Sequence, residues 1–228
     1  MKTTLPAANL LAIAVLLAAC GGQSTPRPEA DLSSQLGLPE PLPPPALDDA
    51  TQATAPVDAF LASLSRYCGQ AFAGRVRVDE PASADNAFAG KALVMHVRGC
   101  GERELRIPFH VGDDHSRTWV LTRTASGLRL KHDHRHEDGS PDPVTMYGGD
   151  SRDAGTAQRQ AFPVDADSVA MFQREGLSAS VTNTWAMEVG PGPVFVYELS
   201  RPGGRLFQVE FDLSRPVPLP PAPWGSEP

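Results

Sequence analysis

The chain changes its hydrophobic period just past residue 68. Before that point Val57, Phe60, Leu61, Leu64 and Tyr67 recur at intervals of three and four, the spacing of one helix face. Asp58 falls near the start of this run, and Cys68-Gly69 ends it, with Gly69 suited to a C-terminal cap. Beyond Gly69 the period is two. Phe72, Gly74, Val76 and Val78 share one strand face, then Leu93, Met95 and Val97, then Leu105, Ile107, Phe109 and Val111. Trp119, Leu121 and Arg123 mark a fourth strand, and Leu128 and Leu130 open a fifth. Val181 through Val189, Phe195 through Leu199 and Phe207 through Leu213 complete the series. Gly, Pro and Asp bound each run, and Arg201-Pro202-Gly203-Gly204-Arg205 reads as a hairpin link. A short second helix fits Asp167 to Glu175, with Val169 and Phe172 inward, Asp165 or Asp167 at its start and Gly176 at its end.

Eight or more short strands in series with hairpin-length links predict a mainly β, antiparallel architecture. The expectation is a lipocalin-like barrel, or a sandwich, with an N-terminal helix. The first strand lacks the Gly-x-Trp signature of lipocalins, so the likeness is one of architecture. This unit spans 57–214. It lies between a Pro-rich tether, 20–56, and a second Pro-rich segment, 215–228, that ends near Trp224. Pro-rich polar chain favours extended conformations of ~3 Å per residue and buries no core. Trp224 either packs back on the domain or hangs free.

One strand carries candidate chemistry. In Leu128 to Gly139 one face reads Leu128, Leu130, His132, His134, His136, and the other reads Arg129, Lys131, Asp133, Arg135, Glu137. The histidines continue the face that the leucines commit to the interior. With Ser126-Gly127 as a two-residue turn, Leu121 would face His132 and Trp119 would face His134. Imidazoles two residues apart on a strand can converge on zinc, with His96, His110 or a carboxylate completing the set; a haem is a further possibility. The competing reading is a strand end that turns polar as it leaves the core. Neither the metallo-β-lactamase H-x-H-x-D-H pattern nor the cupin pattern fits. No G-x-S-x-G elbow, phosphate loop or H-E-x-x-H is present. Asp113-Asp114-His115-Ser116 reads as a turn, and Gly148-Gly149-Asp150 as a loop.

Charge and cysteine content narrow the partners. The net charge is −7, and acidic chains without clustered Lys and Arg are poor ligands for nucleic acid. Three cysteines are present, Cys20, Cys68 and Cys100. The apolar run from Leu10 to Ala19 is far shorter than the ~20 residues of a membrane-spanning helix. It ends in Leu17-Ala18-Ala19-Cys20, which resembles the lipobox of bacterial lipoproteins. The resemblance implies removal of 1–19, acylation of Cys20 and, with Gly21 next, an outer-membrane address facing the periplasm. In that oxidising compartment Cys68 and Cys100 form the default disulfide, whose loop-closure entropy is worth about 3–4 kcal/mol.

Cys68 to Gly74, and the run from Arg117 to Gly149, resemble a group of secreted Gram-negative proteins of no assigned activity. That resemblance implies an envelope location and carries over no catalytic residue. The leading expectation is a non-enzymatic module holding a small ligand or partner, with no cofactor. The alternatives are a metal protein or metal-dependent enzyme centred on His132, His134 and His136, and a structural interaction lipoprotein with a filled interior.

Overall fold

The computed structural model describes residues 55–82 and 86–226. The signal segment, Cys20 and the tether up to residue 54 lie outside the described residues. Helix α1 (Pro56–Ser65) is followed by β1 (Ala71–Glu80), β2 (Leu93–His96), β3 (Gly99–Cys100), β4 (Glu104–Val111), β5 (Asp114–Arg123) and β6 (Leu128–His134). Then come β7 (Tyr147–Asp150), β8 (Arg159–Pro163), α2 (Ala166–Arg174), a 3-10 turn at Ser178–Thr182, β9 (Thr184–Val189), β10 (Val194–Arg201) and β11 (Arg205–Val217).

The strands form one antiparallel sheet that is nearly closed into a barrel. Its order is β7-β6-β5-β4-β2-β1-β11-β10-β9-β8, with the short β3 paired to β4 outside this path. Almost every strand therefore lies beside its neighbours in sequence, and β1 pairs with β11, the first strand with the last. Period-two alternation puts Phe207, Val209, Phe211 and Leu213 of β11 inside, beside Phe195 and Tyr197 of β10, while Glu210 meets Arg75 on the outer surface. Apolar-in, charged-out is the reverse of a membrane-spanning barrel, whose outer face must be apolar.

The two ends of the barrel differ. Val57, Phe60, Leu61 and Leu64 of α1 are buried in the core, and Asp58 reaches Arg123 at the end of β5, 2.6 Å away. The helix thus plugs one end. It stops at Ser65, earlier than the spacing predicts, because residues 66–69 turn sharply and Gly69, at φ +78°, donates its N–H to Val97. Cys68 and Cys100 are bonded there, their Cα atoms 6.2 Å apart, tying the helix exit to β3.

Between β7 and β8 the wall is sewn by side chains and by α2. Asp165 caps α2 by accepting from the Ser168 N–H, as the sequence predicts. Its own N–H donates to the Gly148 carbonyl at 2.9 Å. The buried Ser168 hydroxyl accepts from the Gly148 N–H at 2.9 Å and donates to the Gly148 carbonyl at 3.2 Å. Lys131 of β6 pairs with Asp165 at 2.5 Å. A Cβ on Gly149 would stand 1.8 Å from the Pro163 carbonyl, so only glycine permits this approach. Gly148-Gly149-Asp150 is accordingly strand, not the loop expected. β8 was not expected at all, since Phe162 is its only large apolar residue.

Three further expectations shift. The β5–β6 link is the four-residue loop 124–127, closed by the Thr124 N–H to Gly127 bond, so Trp119 faces His132 and Leu121 faces Leu130. The slip is two residues, an even number, and the inward face is unchanged. Asp114, His115 and Ser116 belong to β5, and the turn is confined to Gly112-Asp113. Val181 lies in the 3-10 turn and Asn183 at its end, so β9 begins only at Thr184. At the far end, β11 runs on to Val217, and the segment after it crosses the outside of the sheet. Trp224 donates its N–H to His115 at 3.0 Å, and Pro223 is buried.

Gly149→Ala should lower the unfolding free energy by about 1–3 kcal/mol, the range for overpacking. Gly192→Ala, with open space around its Cβ, should change it by less than about 0.5 kcal/mol. Urea melts of the two variants check the difference.

Candidate functional site

Inside the barrel, at the end away from α1, is a cavity of about 320 Å³. β5, β6, β9 and β10 supply its deep wall through Trp119, His132, Trp185 and Tyr197. The β6–β7 link contributes Asp142 and Val144, β7 contributes Tyr147, and the β10–β11 hairpin contributes Arg201 and Arg205. Phe88 and Leu177 come from the β1–β2 link and from the turn after α2.

The deep wall is a network of rings. Tyr197 stacks on Trp119 with centroids 4.6 Å apart, and His132 stacks on Tyr147 at 4.6 Å with an interplanar angle of 11°. Trp185 lies 5.0 Å from His132. Hydrogen bonds fix the His132 tautomer. The Tyr147 carbonyl can only accept, so His132 Nδ1–H donates to it at 3.1 Å. Nε2 is then an acceptor for the Tyr197 hydroxyl at 2.8 Å. The Tyr147 hydroxyl and His134 Nε2 are 3.1 Å apart.

Burial sets the protonation states. His132 is 3 % exposed, and desolvation pushes its pKa down from 6.5 to about 3 against the opposing pull of the Tyr147 carbonyl. Desolvation, helped by the Arg117 charge, takes His134 to about 4. Burial moves the Tyr147 phenol up to about 12 and that of Tyr197 well above its ordinary value. At neutral pH the inner wall is therefore uncharged. It offers neutral donors and acceptors set among aromatic faces, and neither histidine is poised near 7 as a general base would be.

The three candidate histidines separate. His132 and His134 line the cavity, whereas His136 lies past the end of β6, exposed, with its Nε2 4.0 Å from Asp142. His96 and His110, the proposed third ligands, sit on the outer faces of β2 and β4 and cannot join His132 and His134 across the wall. Both ring nitrogens of His132 are engaged, and among the described residues no three His, Cys, Asp or Glu side chains stand together as an ion's ligand set. The donor set fits a metal poorly.

Sequence reasoning missed two features. Tyr147, Trp185 and Tyr197 complete the cavity wall, but only the barrel's curvature brings them to the histidines. The outer surface holds a separate pair, His110 and His115, with Nδ1 atoms 2.5 Å apart; the Trp224 ring lies edge-on to His115, centroids 6.4 Å apart. Burial, with the neighbouring His115 next in weight, pushes His110 down to about 4. Reading residues 113–116 as a turn concealed this pair.

Comparison with protein-family models, with curated proteins and with solved structures finds no match.

The shifts predict how stability changes with pH. An unfolded histidine takes its proton near 6.5, while folded His132 resists until about 3. Between those values the unfolded state holds more protons, so stability is full above 6.5 and falls as pH drops toward 3. His134, and His110 on the outer face, add to the same slope. Chemical denaturation at pH 7 and pH 4 should show this loss, and His132→Gln should reduce it. An unchanged slope in that variant would count against a desolvated His132.

Proposed function

We propose that this chain is an exported, lipid-anchored barrel that binds a small apolar-bodied molecule in its interior and performs no chemistry on it. The observation carrying this reading is the cavity itself. About 320 Å³ lined mainly by aromatic rings, with a few fixed polar atoms, matches small-ligand sites in size and character. A purely structural barrel would fill that space with side chains, since interiors pack to crystal-like density. The engaged, strongly desolvated histidines favour orientation of a ligand over metal or acid–base catalysis.

The address rests on the sequence. Leu17-Ala18-Ala19-Cys20 with Gly21 supports acylation of Cys20 and retention at the outer membrane, facing the periplasm. The Cys68–Cys100 bond suits an oxidising compartment, and the resemblance to secreted Gram-negative proteins agrees with export. Two or three acyl chains would hold the module durably, whereas one would not.

Two experiments test these statements separately. The neutral probe N-phenyl-1-naphthylamine should bind the protein and quench Trp119 and Trp185, and Val144→Trp, which fills the mouth, should weaken it by about tenfold or more without lowering Tm. Equal binding by the filled variant would remove the cavity from the account. Cys20→Ser should move the protein from the membrane pellet to the soluble periplasmic fraction; continued pelleting would rule out acylation as the anchor.

A further inference from the structure

The mouth of the cavity carries charge that its deep wall does not. Arg117, Arg201 and Arg205 line it, against a single carboxylate, Asp142. These three arginines gather in a chain whose net charge is −7, so they are a local arrangement and not a reflection of composition. Two of the arginines are neutralised: Arg117 pairs with Asp114 at 2.6 Å, and Arg205 with Asp79 at 2.5 Å. Arg201 differs. Its Nε–H donates at 2.6 Å to Oδ1 of Asn183, a buried neutral amide that fixes the guanidinium plane. Among the described residues Arg201 forms no ion pair, and neither of its Nη groups donates a hydrogen bond to another residue.

Building on the ligand-binding reading above, we propose that the cavity selects an amphiphile with a carboxylate head, taken by the two Nη groups of Arg201 while the apolar body lies against Trp119 and Trp185. A guanidinium held at Nε presents its remaining N–H groups as a fork whose geometry matches a carboxylate. Burial first, and then the Arg205 charge across the hairpin, press the Arg201 pKa below its usual value. An arriving anion relieves both, which ties binding to the sign of the head group. A cationic head would meet the uncompensated Arg201 guanidinium and is selected against.

The test compares three ligands with ten-carbon chains: decanoate, decanol and decyltrimethylammonium. Each is titrated by calorimetry at pH 7.5 into the Cys20→Ser chain, which keeps every described residue. Decanoate should bind about tenfold or more tightly than decanol, and the ammonium more weakly than either. Arg201→Gln should abolish the decanoate advantage and leave decanol affinity unchanged. Arg201→Lys, which keeps the charge and loses the fork, should retain only part of it. Equal affinity for decanoate and decanol, or an advantage that survives Arg201→Gln with Tm unaltered, would overturn the proposal. If decanol and N-phenyl-1-naphthylamine bind while decanoate gains nothing, the cavity reading stands and only the carboxylate selectivity falls. If none of the probes binds, both fall.

Discussion

The interior exists only because the wall closes between β7 and β8, and that closure hangs on two glycines and one serine. Gly148 exchanges both of its backbone groups with Ser168 and gives its carbonyl to the Asp165 N–H as well. Gly149 lets the Pro163 carbonyl come where any Cβ would stand. An open edge here would leave unpaired backbone groups beside an apolar interior, each costly to bury unsatisfied. Capping α2 with Asp165 and joining Asp165 to Lys131 makes the helix N-terminus part of the seam, so one residue serves helix, sheet edge and neighbouring strand together.

Along the inside of β6 the side chains pass from Leu128 and Leu130 to His132 and His134. The same progression runs along β5, from Leu121 through Trp119 to Arg117, while Arg123 at the plugged end is taken up by Asp58. Packing is apolar near α1, polar but neutral in the middle and charged at the mouth. Such a gradient would order any molecule that entered it by energy: apolar matter gains most deep inside, and a charged group gains only at the rim.

Much of this was legible in the sequence, for particular reasons. Period-two runs such as Leu105 to Val111 and Phe207 to Leu213 declare their inward faces, and Asp165 with Gly176 brackets α2. The inward direction of His132 was legible because Leu128 and Leu130 commit the face, and it survived a two-residue error in register. The seam strands were not legible: β7 is glycine-rich and β8 has one large apolar residue, so neither shows a hydrophobic period. The cavity was not legible either, because Tyr147, Trp185 and Tyr197 meet His132 only through closure of the sheet. Nor could proline content reveal that Pro223 and Trp224 lie against the barrel. Docking there depends on Pro223 and Trp224 finding the outer face of β5.

The meander also dictates an order of assembly. Hairpins such as β4–β5, β5–β6 and β10–β11 join residues close in sequence and can form early, at small entropic cost. The pairing of Ala71 with Val217 cannot, because it waits for nearly the whole chain. A protein built this way has no finished interior until β11 has joined β1. Its cavity comes into being at the last moment of folding, once the final strand has closed on the first.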